Sequence, residues 1–155
     1  MIDSNAITTL TETKLDALVT SFSLLVDDYS INRQDRNSNG GGVITYIHNS
    51  LKPVVQLSIQ DDFVKQKLEL TVTEVTFPSC KTKAIIIRAY RPPNAKRTWF
   101  ETFNQLILVL LPMGNLILMG DFNADLLKPM KYPGNALKNS LKLAEGYMYS
   151  QSRSY

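Results

Sequence analysis

Four residues carry the types that phosphoryl chemistry needs: Glu12, Tyr90, Asp121 and Asn123. They lie in three short motifs, "TETKLD", "AYRPPN" and "GDFNADLL". Each motif closes a stretch that reads as a β-strand, and strand ends hold side chains more rigidly than loop centres do. A carboxylate such as Glu12 can hold a magnesium ion, which takes one or two protein carboxylates and keeps several waters. The ion would polarise a phosphoryl oxygen. Asp121 can orient an attacking water or take its proton. Asn123 can fix that carboxylate or a phosphate oxygen, and Tyr90 can donate to the phosphate. Asp and Asn also suit a plain turn, since both tolerate left-handed backbone and bond their own main chain. A calcium loop fits less well. Asp121, Asn123 and Asp125 match its first three ligand positions, but Leu126 and Tyr132 stand where it needs Gly and Glu.

These motifs must be positioned by a folded domain. Hydrophobic residues make up 44% of the 155 and charged residues 20%, ordinary globular usage that argues against wholesale disorder. The single cysteine, Cys80, excludes an internal disulfide and a cysteine metal cluster, which fits a reducing compartment. The longest apolar run, Leu106 to Leu111, is far short of a membrane span and is closed by Pro112. Charge is uneven. Asp3, Glu12, Asp16, Asp27 and Asp28 face only Lys14 among residues 1–30. Lys128, Lys131, Lys138, Lys142 and Arg153 face only Glu145 at the other end. That basic end suits a phosphate-rich partner or a solvated helix face.

Residues 6–11 read as a strand delivering Glu12, and Leu15, Leu18, Val19 and Phe22 take helical spacing. "YSINR" and "VITYIH" read as strands on either side of a turn at 37–42, and "PVVQLSI" as another. "KLELTVTEVTF" alternates as a half-exposed strand would, while "KAIIIRAY" is apolar enough to be buried on both faces. A helix over 96–111 is expected to pack on strands 83–90 and 115–119, burying Ile85, Ile87, Phe103, Leu106, Leu116 and Leu118 together. A last helix should run from Asn135 as N-cap to Gly146 as its stop. Strands outnumber helices, which favours an α/β sandwich with mixed sheets over a doubly wound sheet. The one histidine, His48, has no evident partner and reads as structural.

Taken together, "ETKLD", "RQDRNSNGGGVITYI", "YRPPN" and "GDFNADLL", in that order, resemble the endonuclease/exonuclease/phosphatase family, and within it the endonuclease domains of non-LTR retrotransposon polyproteins. The resemblance implies a four-layered α/β sandwich with two central sheets and a magnesium- or manganese-dependent endonuclease that nicks DNA. It implies Glu12 as metal ligand, Tyr90, Asp121 and Asn123 as catalytic residues, and Arg91 and Asn94 as substrate-binding residues. Arg33, Asp35 and Arg36 match a recurrent loop with no catalytic role. The family also has an earlier strand carrying an asparagine, for which Asn5 lies too close to Glu12, and a closing Ser-Asp-His motif. Neither is found in residues 1–155, so the chain is expected to be one partial domain, inactive or weak. A fused reverse transcriptase, a nuclear or cytoplasmic location and no membrane association go with this reading. A non-catalytic remnant that binds nucleic acid and an enzyme for a small phosphorylated substrate are the alternatives.

Overall fold

Alternation along each strand decides which face meets which partner, and here it builds two sheets lying face to face. The computed structural model describes residues 6–128 and 130–151, with side chains as far as Glu145. Asp3, Asn5 and Arg153, which entered the charge and motif readings, lie outside the described residues. The first sheet holds β1 (Ile7–Thr11), β2 (Tyr29–Gln34) and β3 (Val43–His48) in the order β1-β3-β2, all antiparallel. The second holds β4 (Val54–Val55), β5 (Glu69–Thr76), β6 (Lys83–Tyr90) and β7 (Asn115–Asp121) in chain order. Only β6 and β7 run parallel, because the helix α2 (Thr98–Leu110) crosses over between them. The helices α1 (Leu57–Lys65) and α3 (Gly134–Gln151) complete the fold.

One face of the second sheet is apolar. Leu70, Val72, Ile85, Ile87 and Ala89 meet Phe63, Trp99, Phe103, Leu106, Ile107 and Leu110 in the larger core. On the other face Val75, Ala84 and Ile86 pack against Ile47 and Leu51 of the first sheet. The outer side of the first sheet is covered by residues 12–28. Arg33 Nη2 donates to the Val19 carbonyl at 2.5 Å and the Tyr46 hydroxyl donates to the Leu24 carbonyl at 3.1 Å. From outside to outside the layers are helices, sheet, sheet and covering segment, a mixed α/β sandwich as expected.

Several local expectations are corrected. Residues 14–22 form no α-helix. Asp16 Oδ1 accepts the Leu18 N–H at 2.9 Å, a turn that competes with helical bonding, and only a 3-10 turn at Ser21–Leu24 follows. Leu18 and Phe22 are left 88% and 83% exposed. "PVVQLSI" is a strand only at Val54–Val55, and from Leu57 it is helical. There tertiary contact overrides propensity: the buried Gln60 Oε1 accepts the Val72 N–H at 3.0 Å, serving β5 where β4 has ended. The strand β5 is enclosed on both faces, since Thr71 and Thr73 turn toward the first sheet and not to water. Leu116 and Leu118 are only partly buried, because β7 pairs with β6 alone among the described strands. The helix α3 begins at Gly134, so Asn135 is not its N-cap, and it continues through Gly146 to Gln151.

Candidate active site at the ends of the two sheets

Glu12 is the first residue beyond β1 and adopts left-handed backbone, with φ at 53°. The glycine loop holds it there. The Lys14 N–H donates to the Gly41 carbonyl at 3.1 Å and the Thr13 N–H to the Gly42 carbonyl at 3.5 Å. Gly41 itself has φ at 76°, and a Cβ there would come within 2.5 Å of Glu69 Oε2 and 2.6 Å of Arg36 Nε. Those two side chains pair at 2.9 Å, and Glu69 also accepts the Gly42 N–H at 2.9 Å. Arg36, without a catalytic role in the sequence reading, thus ties the loop to β5. Arg33 pairs with Asp35 at 2.7 Å in the same turn.

Tyr90 ends β6 and is 3% exposed. Its hydroxyl donates to Glu12 Oε1 at 2.5 Å, joining the end of one sheet to the end of the other. Burial pushes the phenol up to about 12, helped by that hydrogen bond and by the charges of Glu12, Glu69 and Asp121. At neutral pH Tyr90 is therefore a neutral donor and not a base.

Asp121 closes β7 directly beside Tyr90, its register partner. Its Oδ1 accepts the Asn123 N–H at 2.9 Å, so the motif does form the turn that its residue types favour. Asn123 is left-handed, with φ at 45°, and its Nδ2 donates to the Arg91 carbonyl at 2.8 Å. The Arg91 N–H donates in turn to the Asp121 carbonyl at 2.8 Å. One carboxylate oxygen fixes the loop, and Oδ2 makes no hydrogen bond among the described residues.

The Arg91 side chain is turned inward. It is 1% exposed, its Nη2 donates to the Ala95 carbonyl and the Tyr132 hydroxyl, both at 2.9 Å, and its guanidinium lies over the Phe100 and Tyr132 rings. Its main-chain carbonyl holds the Asn123 amide, so it helps position that loop. Asn94 is exposed and lines an open pocket of about 470 Å³ shared with Lys67, Glu69, Lys96 and Thr98. His48 sits at the far end of β3 from Glu12, its Nδ1 paired with the Ser50 hydroxyl at 2.8 Å.

Two residues near the cluster escaped the sequence reading. Glu69 is the register partner of Tyr90, which only strand pairing reveals. Arg88, two residues before Tyr90, is half-buried on the same face; burial lowers its pKa while Asp121 opposes the shift. Its signal was legible, since a charge inside "KAIIIRAY" needs a reason.

The donor set suits a hard cation held loosely. Among the described residues no three His, Cys, Asp or Glu side chains gather as a metal-binding group. Glu12 offers one carboxylate, and a magnesium-like ion that keeps most of its waters asks for little more.

Among solved structures, the chain is similar to the catalytic domain of Xenopus laevis APE2, with a TM-score of 0.59 and 17% identity over 88% of this chain and 59% of that one. Two further likenesses are humanized D. rerio TDP2 carrying 14 mutations, at a TM-score of 0.49 and 15% identity over 83% and 57%, and the human Nocturnin catalytic domain with bound sulfate, at 0.48 and 14% over 84% and 57%. The chain thus spans about three fifths of the length of these domains. No curated protein matches it. The sandwich has the fold of a family whose enzymes are generally dependent on divalent metals: residues 3–148 match the profile of the Endonuclease/Exonuclease/phosphatase family, and the chain belongs to it.

Proposed function

We propose that this chain is a magnesium- or manganese-dependent phosphodiesterase domain that nicks DNA slowly. The observation that carries the reading is the Tyr90–Glu12 hydrogen bond, which unites the motifs from both sheets beside Asp121. Glu12 would hold the ion, which would supply polarisation of the phosphoryl oxygen and offset developing charge. Tyr90 stays protonated, and its one O–H, which serves Glu12 here, would turn to a phosphate oxygen once a cation takes up the Glu12 carboxylate. The free oxygen of Asp121 orients the attacking water and takes its proton. Asn123 acts through its backbone N–H, which fixes the Asp121 carboxylate, and through its amide, which ties the loop to the Arg91 carbonyl. Asn94, on the exposed rim, contacts the flanking strand.

The motifs "RQDRNSNGGGVITYI" and "YRPPN" support a domain of the non-LTR retrotransposon type, with a fused reverse transcriptase as partner and a nuclear or cytoplasmic setting. Among the described residues no helix is long and apolar enough to cross a membrane. Turnover is expected to be slow because the only histidine lies at the far end of β3. Losing general acid–base help removes about 10²–10⁴ in rate. The same observation favours, as second reading, a remnant that binds nucleic acid without cleaving it. Nicking of supercoiled plasmid in magnesium separates the two. Slow, magnesium-dependent nicking that disappears in Glu12→Ala supports the first. Binding without any nicking leaves the second.

A further inference from the structure

Arg88 interrupts an otherwise apolar strand, and a partly buried guanidinium needs a partner. Its side chain belongs to the face turned toward the first sheet: Ala84 and Ile86 pack there before it, and Tyr90 reaches Glu12 after it. Its register partner on β7 is Met119, which puts Asp121 one diagonal step along the same face. Such diagonal neighbours are about 7–8 Å apart, within reach of an arginine. Yet among the described residues Arg88 forms no ion pair, and its buried Nε has no hydrogen-bond partner. Arg33 Nη1 and Arg91 Nε also lack partners, but the rest of each group is engaged: Arg33 and Arg36 have carboxylates at 2.7 and 2.9 Å, Arg91 Nη2 donates to a carbonyl and a hydroxyl, and Arg97 lies over the Tyr132 ring.

We propose that Arg88 is a phosphate-binding residue of this site, its guanidinium taking a non-bridging oxygen of a nucleic-acid phosphate between Tyr90 and Asp121. The proposal rests on the nuclease reading above and adds a fixed cation to it. The planar fork suits two phosphate oxygens at once, which an ammonium cannot match. With Glu12 offering a single carboxylate to a metal, part of the charge compensation on the phosphate then comes from the protein itself.

The test is equilibrium binding of a fluorescein-labelled DNA duplex, followed by anisotropy in magnesium over a range of salt concentrations. Arg88→Gln and Arg88→Met, two neutral side chains of comparable length, should weaken binding about tenfold and reduce the slope of log affinity against log salt by about one. Arg88→Lys should keep the slope and recover part of the affinity. A residue that only supports the fold leaves the slope unchanged among folded variants. Duplex binding with an unaltered slope in both neutral variants overturns the proposal and leaves Glu12-dependent nicking standing. Absence of duplex binding by the unaltered chain overturns the proposal and the nuclease reading together.

Discussion

The four-stranded sheet has two faces built by different chemistry. Toward the helices it is a continuous apolar surface, where Ile85, Ile87, Phe103, Leu106 and Leu110 are fully enclosed. Toward the other sheet it is a seam of mixed character. Asn32 Nδ2 donates to Gln60 Oε1 at 3.0 Å and to Thr73 Oγ1 at 2.9 Å, and the Thr45 and Thr71 hydroxyls meet at 2.8 Å. The same seam ends in Arg88, Tyr90, Glu12 and Asp121. The helix-facing side supplies bulk stability, while the polar side fixes how the two sheets register and so where their ends meet. A site assembled from both sheets needs that second property more than the first, because buried polar pairs fail sharply when misaligned.

The comparison can be broken most forcefully on the apolar face. Phe103→Ala should cost about 3–5 kcal/mol in denaturant titration, whereas Leu118→Ala, on the half-buried β7, should cost about 1 kcal/mol. Equal losses would mean that β7 is as enclosed as α2. On the polar seam, Asn32→Ala should cost about 1–3 kcal/mol by stranding buried partners. It should also depress metal-dependent activity more than its stability loss explains; a proportionate fall would reduce the seam to ordinary packing. The smallest effect at neutral pH concerns Tyr90. Its folded pKa is raised, from 10 to about 12. The associated stability is therefore fully present below pH 10 and is lost as pH rises toward 12. Ultraviolet absorbance should show a late-ionising tyrosine, and Glu12→Gln should move it back toward 10. No late tyrosine in the unaltered chain would contradict the Tyr90–Glu12 contact.

What the sequence discloses follows the same division. The apolar face was legible because β6 and α2 state their periods plainly, and Phe103, Leu106, Ile85 and Ile87 are buried as expected. The strand β5 was misjudged because Thr71 and Thr73 alternate as solvent-facing residues do, and only the opposing sheet shows that their hydroxyls are satisfied by protein. The helix α1 was missed because "PVVQLSI" carries strand-like residues and its reason to be helical, Gln60, lies in contacts with β2 and β5. The places of Tyr90 and Asp121 at strand ends, with Asn123 just beyond, were legible because turn residues follow those strands. Glu69 was not, since it enters the cluster only through its pairing with Tyr90. The burial of Arg91 was not legible, since the carbonyls and rings around its guanidinium come from Ala95, Phe100, Phe122 and Tyr132, which only the fold brings to it.

On the proposed reading, the fold brings Glu12 to Tyr90 and Asp121 to make a metal-dependent phosphate site. Manganese binding, followed by electron paramagnetic resonance at neutral pH, tests it most directly in the unaltered chain and in Glu12→Gln. One weak site in the unaltered chain, lost in a Glu12→Gln protein that keeps its thermal melt, is the expected result. Manganese binding of equal strength in both proteins would contradict it.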